Sequence, residues 1–141
     1  IRPAAELTLT ITAATGEAVG LGMLVCGDYV SLAGEGDWGG AQHGASAEPV
    51  TYSYIKQSDD GTTTIVRRHS ATNLRVTVAL PRTEADAVLQ AMQDVLDVPV
   101  AWIATDANGY AGLSTFGIGS GSMNYDSFGA ANFEISVKGL V

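Results

Sequence analysis

The chain has one cysteine, few charged residues and no long apolar run, and each of these scarcities excludes something. Cys26 is the single cysteine among 141 residues, so an intrachain disulfide is impossible. Because it follows the apolar run 23–25, we predict a buried structural thiol. No stretch approaches the roughly 20 apolar residues that a membrane-spanning helix needs, and no basic-then-apolar segment typical of a secretion signal is found at the start.

Charged residues make up 16% of the chain, which is low against a usual ~25% and favours a surface that another subunit covers. The net charge is −8, which argues against a nucleic-acid-binding protein because such binding depends on cations that neutralise phosphates. Residues 1–50 hold one cation against six acids, residues 51–82 five against two, and residues 83–141 one against seven. This distribution fits either an ordinary solvated surface or charge complementarity between neighbouring copies.

Motifs that carry chemistry are also missing from the sequence. The G-x-G-x-G run at 117–121 is not followed by a helical pattern, so it predicts a bend between strands rather than a phosphate-binding loop. His43 and His69 have no second ligand at metal-binding spacing, and Ser70 next to His69 points to the opposite side of an extended chain. Asp59 and Asp60 do not have the spacing of a calcium-binding loop. We therefore predict no catalytic residue, no metal site and no cofactor, and a protein that is not an enzyme.

What is present is strand-like alternation. Leu7–Thr12 alternates aliphatic residues with threonines, and the stretch from Leu74 to Leu80 places apolar residues at every second position, the pattern of a half-buried strand. A third alternating segment runs from Asn132 to Lys138. Evenly spaced strands of this kind predict a mainly β fold, a β-sandwich or a split barrel.

One amphipathic helix is predicted at about 83–97, after Pro81. Thr83 and Asp86 have the spacing of a capping pair at its start, and Glu84 lies in the first turn, where the helix dipole favours an acid. An apolar stripe recurs at helical spacing and is expected to pack on the sheet. The residues of this predicted core stripe are Val88, Leu89, Met92, Val95 and Leu96.

Two features between residues 34 and 69 suggest contacts with a partner. Residues 34–49 are rich in glycine and alanine without periodicity, which predicts a long loop whose one strong anchor is Trp38; its ring either folds back on its own domain or inserts into a neighbour. Residues 50–69 form a predicted hairpin around the turn 58–61, and both arms are polar on at least one face, so the hairpin is expected to project. The predicted subunit-interface residues are Trp38, Lys56, Arg67 and Arg68.

The second half of the chain resembles a known family. The stretch "LRVTVALPRTEADAVLQAMQDVLDVPVAWI", a region punctuated by glycines, and the ending "FEISVKGLV" are similar to tail-tip and distal tail proteins of long-tailed bacteriophages. The shared elements are a strand ending at Pro81 and Arg82, a helix, an apolar strand and a closing alternating strand. Residues 1–50 add nothing to this resemblance.

The resemblance implies a single tail-tube-like β domain over residues 1–141, a structural virion protein whose copies form a ring, a hexamer in particular, around the DNA channel. Its partners would be copies of itself and other phage tail proteins, with DNA as passing cargo and no membrane insertion. It would be made in the host cytoplasm and located in the virion tail. A channel lined with carboxylates would repel DNA phosphates, which gives the acidic balance a physical meaning.

Three other functions stay open at this point. A repeating tail-tube subunit would have the same sequence features as a tip-ring subunit. A β-sandwich module that binds carbohydrate or a receptor would display exposed aromatic residues, and Trp38, Tyr52, Tyr54 and Tyr110 could serve that purpose. A hydrolase with an unfamiliar site is the least favoured, because the motifs are missing.

Overall fold

A computed structural model describes residues 7–16, 18, 24–33, 39–105, 107–125 and 128–141. The strands in this part are β1 (Gly40–Ala41), β2 (Ser46–Thr51), β3 (Tyr54–Gln57), β4 (Thr63–Val66), β5 (Ser70–Pro81), β6 (Val100–Ile103), β7 (Ser114–Asn124) and β8 (Ala130–Gly139). The helix α1 spans Ala85–Asp94 and follows a 3₁₀ turn at Arg82–Glu84; a second 3₁₀ turn lies at Ala111–Leu113.

Six strands form one antiparallel sheet in which β5, β8, β7 and β6 lie side by side in that order, and β1 and β2 both pair with the outer edge of β5. The sheet curls into a half-barrel with one helix against it, so the predicted mainly β fold of split-barrel type is confirmed. Hydrogen bonds tie the curl together. The Thr115 hydroxyl donates to the Thr72 carbonyl at 2.7 Å, and the Gly139 amide donates to Asn73 Oδ1 at 3.1 Å.

The core lies between the helix and one face of the sheet. Alternation along β5 and β8 sends every second side chain to this face, and Phe133 and Leu80 are completely buried there. The other core residues are Leu74, Val76, Val78, Ala85, Val88, Met92, Trp102, Ala131, Ile135 and Val137. The long strands predicted around Leu74–Leu80 and at the end of the chain are therefore present, and each has neighbouring strands paired along both of its edges.

The helix is shorter than predicted. Residues 82–84 form a 3₁₀ turn, tied by the bond from the Arg82 amide to the Gly129 carbonyl at 3.2 Å, so Thr83 does not cap α1 and no side-chain cap bond is made. At the other end the chain leaves the helix after Asp94, and Asp97 adopts a left-handed conformation with φ of 62°. The helix predicted at about 83–97 is therefore present, with α1 at Ala85–Asp94 and turns in place of the first and last predicted residues.

The predicted apolar stripe is only partly in the core. Val88 and Met92 are buried, while Leu89 and Val95 are half-buried, with Val95 packed against the core. Leu96 is 44% exposed, so its assignment to the core was wrong. The reason is that residues 95–97 form a turn, which takes Leu96 away from the helical face that the spacing assumed.

Several other expectations fail. Leu7–Thr12 is not a strand, and its three aliphatic side chains are exposed, because alternation makes a strand only where another strand accepts its hydrogen bonds. Cys26 is exposed rather than buried. The glycines of 117–121 are not a bend but lie inside the continuous strand β7.

The loop predicted at 34–49 is also shorter where the structure describes it. Residues 40–41 and 46–49 pair with β5 as β1 and the start of β2. Composition concealed these strands because glycine and alanine are rare in strand interiors, whereas here the edge of β5 supplies the pairing. Trp38 lies outside the described residues.

Candidate functional site

The hairpin β3–β4 forms a sheet of its own, apart from the large sheet. Its turn is closed by two backbone bonds, from the Ser58 amide to the Thr62 carbonyl at 2.8 Å and from the Gly61 amide to the Ser58 carbonyl at 2.9 Å. Gly61 has φ of 85°, a conformation that glycine adopts without steric cost. Asp60 Oδ1 accepts the Thr62 amide at 2.9 Å, and this bond lowers the pKa of Asp60 below its ordinary value of 3.8.

Two hydrogen bonds close the base of the hairpin between its own arms, and a third joins it to the end of β8. The Tyr52 amide donates to the His69 carbonyl at 3.3 Å, and the Tyr52 hydroxyl reaches the Gly139 carbonyl at the end of β8 at 3.4 Å. The Arg68 amide donates to Ser53 Oγ at 3.1 Å. The hairpin therefore has an anchored base, while its strands pair with each other alone.

Both faces of the hairpin carry apolar side chains. The register pairs Tyr54 with Val66 on one face and Ile55 with Ile65 on the other. All four are about half exposed or more. An isolated two-stranded hairpin is marginally stable in water, and a third strand or a packing partner is needed for independent stability. The hairpin thus displays surface that is suited to burial against another molecule.

Three of the four predicted interface residues come together on this hairpin. Lys56 lies in β3 on the same face as Tyr54 and Val66, and Arg67 and Arg68 follow directly after β4. All three are exposed. Tyr54 was among the exposed aromatic residues predicted for a binding module, but Ile55, Ile65 and Val66 were not predicted, although the adjacent pairs Tyr54-Ile55 and Ile65-Val66 were a signal that neither face is purely polar.

A second mixed patch lies at the end of α1, where Asp94, Leu96, Asp97 and Val98 are all exposed. The last turn of the helix holds no basic residue. An acid at a helix C-terminus opposes the helix dipole, where a cation would stabilise the helix by about 0.3–1 kcal/mol. Helix stability therefore does not account for Asp94. This helix-end patch combines apolar area with negative charge, whereas the hairpin combines apolar area with positive charge.

The face of the large sheet opposite the core is polar. Neighbouring strands bring together the side chains of Thr77, Ser122 and Glu134, and a shallow cavity of about 470 Å³ opens over them. The other residues that line it are Gly44, Arg75, Val76, Ser120, Gly121, Ile135 and Ser136. The hydroxyl groups bond locally, as in the contact from Ser120 Oγ to the Ser136 carbonyl at 3.2 Å.

A grouping typical of metal binding is not seen in the described ranges. No cluster of three or more His, Cys, Asp or Glu side chains able to hold a metal occurs there. His43 lies in the turn between β1 and β2 and His69 at the base of the hairpin. Among the same residues, no helix is both long enough and apolar enough to cross a membrane.

Comparison with known proteins gives no family assignment for this chain. Neither the protein-family models nor the curated protein sequences that were compared with this chain give a match.

Proposed function

We propose that this protein is a structural subunit of a phage tail-tip ring, the distal tail type of assembly around a DNA channel. The observation that carries the proposal is the hairpin β3–β4, which is anchored at its base and exposes apolar side chains on both faces. Complete burial of one large aliphatic side chain stabilises a protein by about 1.5–3 kcal/mol. Three aliphatic side chains and one tyrosine, each about half exposed, would gain part of this amount when a partner covers them, which favours association.

The rest of the chain adds exposed apolar surface of the same kind. Leu7, Leu9 and Ile11 lie in a segment of strand-forming sequence that is not paired in the single chain. The resemblance of residues 74–141 to distal tail proteins supports copies of the same chain as the partners. A closed ring would bury these surfaces without leaving an open end.

The polar face of the sheet is the surface that we propose for the channel. It carries serine and threonine hydroxyls together with Arg75, Glu134 and Lys138, so charges of both signs are present. DNA would then pass over hydroxyl groups, two cations and one carboxylate. The carboxylate lining expected from the net charge would have to come from other parts of the chain.

The proposal is tested by light scattering of the purified protein over a concentration series, with electron microscopy of the same samples. We expect a closed cyclic species, a hexamer in particular. Open filaments would favour the repeating tail-tube subunit. A monomer at every concentration that binds carbohydrate on a glycan array would overturn the proposal in favour of a binding module.

A double variant connects this result to the hairpin. Tyr54→Thr with Val66→Thr leaves strand-forming residues in both strands but removes apolar area from one face. We expect it to weaken the assembly. Tyr110→Ser, which removes an exposed aromatic outside the hairpin, is the matched control and should leave the assembly intact.

A further inference from the structure

We propose that the cationic hairpin of one copy docks on the acidic end of helix α1 in the next copy, so that the chain assembles head to tail. The occupant of the hairpin surface is thus a second copy of this chain. This inference rests on the self-assembly in the proposed function and names the two surfaces that meet.

The docking face of the hairpin is the one that carries Tyr54, Lys56 and Val66. The register of β3 and β4 places these three side chains on one side, and Arg68 lies two residues after Val66, beyond the end of β4. An aromatic ring, an aliphatic group and a cation make a mixed surface. Such a surface is complementary to apolar groups flanked by acids.

The helix-end patch supplies those groups. Leu96 and Val98 are nearly half exposed, and Asp94 and Asp97 lie beside them in the chain. Asp94 opposes the helix dipole, so a cation from outside the chain would relieve an unfavourable position. Asp97, in a left-handed conformation, lies in the exposed turn that follows the helix.

The two surfaces cannot be satisfied within one chain as it is folded. Both are exposed in the same structure, so they are not packed on each other. Because they are different surfaces, their contact is heterologous, and a heterologous contact generates a ring if the rotation closes or a filament if it does not. The inference therefore also explains why a ring rather than a two-fold dimer would form.

Charge reversal tests the contact. Lys56→Glu and Asp94→Lys should each weaken association by about tenfold or more, because like charges then face each other. Asp94→Lys places a cation at the helix C-terminus, which favours the helix, so unfolding cannot explain the loss. The control for Asp94→Lys is Glu48→Lys, which makes the same change in net charge on the exposed strand β2. It should alter the association constant by less than about twofold.

Mixing the two variants gives the decisive result. In an alternating assembly of Lys56→Glu chains and Asp94→Lys chains every contact again joins opposite charges, so the mixture should assemble although neither variant does so alone. The double variant Lys56→Glu with Asp94→Lys should assemble by itself. If both single variants assemble like the wild type, or if mixing does not restore assembly, the contact is wrong while the ring stands. A monomeric wild type would overturn both proposals.

Discussion

The indole ring of Trp102 occupies the space that a side chain at Gly119 would need: a Cβ built on this glycine overlaps Cζ2 and Cη2 of the ring. Trp102 lies in β6 and Gly119 in the neighbouring strand β7. The indole nitrogen also donates to the Gly117 carbonyl at 2.9 Å, so the ring is both packed and hydrogen-bonded across the strand. The glycine at position 119 is therefore a packing requirement of the aromatic core.

Replacing Gly119 by alanine should lower the free energy of unfolding by about 1–3 kcal/mol, the usual cost of inserting volume into a packed core. The cost should be smaller in a Trp102→Leu background, because the atoms that the new methyl group meets are then removed. Urea denaturation followed by circular dichroism measures both effects. Equal costs in the two backgrounds would show that the ring is not the obstacle.

This packing also explains where sequence analysis failed. A G-x-G-x-G run can indicate a turn, or it can leave space for an aromatic ring on a neighbouring strand. Which of the two applies depends on the tertiary structure, because the ring comes from another part of the chain. Strands β5 and β8 were predictable because their alternation records a core on one side and polar residues on the other. Leu7–Thr12 has the same alternation, but the sequence of this segment does not determine whether another strand pairs with it.

Phe133 is the second aromatic residue that depends on a glycine. It is completely buried, and a Cβ on Gly121 would lie 2.7 Å from its Cζ atom. Phe133→Ala should lower the free energy of unfolding by about 3–5 kcal/mol. Phe128, which is 97% exposed, provides the matched control, and Phe128→Ala should change this free energy by no more than about 0.5 kcal/mol. Similar values for the two variants in chemical denaturation would contradict the assignment of the core.

The helix gives a graded test of burial. Met92→Ala removes a buried side chain and should lower the free energy of unfolding by about 2–5 kcal/mol. Leu96→Ala lies beyond the end of the helix and should cost the single chain less than about 1 kcal/mol. Leu96→Ala should instead weaken association, because this side chain belongs to the helix-end patch. Thermal unfolding at low concentration, compared with light scattering at high concentration, separates the two effects.

The charged residues of the candidate site could be predicted from the sequence, but the exposed apolar residues at the end of the helix could not. Lys56, Arg67 and Arg68 were identified because they lie in the one basic section of an acidic chain. The helix-end patch was not identified, since helical spacing placed Leu96 in the core and the turn that exposes it depends on where the helix stops. Residues 95–97 illustrate the limit: one turn of backbone decides whether an apolar side chain stabilises the fold or lies on the surface.

The turn of the hairpin should respond to acid. The Thr62 amide donates to the Asp60 carboxylate and lowers the pKa of Asp60 below 3.8. A group whose pKa is lower in the folded state contributes stability above its unfolded pKa, and this contribution is lost as the pH falls through the folded pKa. The hairpin turn should therefore be fully formed at neutral pH and should loosen only below pH 3.8.

Amide proton shifts of Thr62, followed by NMR from neutral pH into this acid range, measure the transition directly. Asp60→Asn keeps an oxygen that can accept the bond but removes the titrating proton, so the shift should no longer change with pH through this range. Asp59→Asn, one residue away and without this bond, should leave the Thr62 profile unchanged. A wild-type midpoint at or above 3.8 would mean that the amide does not stabilise the carboxylate, and the turn would then depend on its backbone bonds and on Gly61 alone.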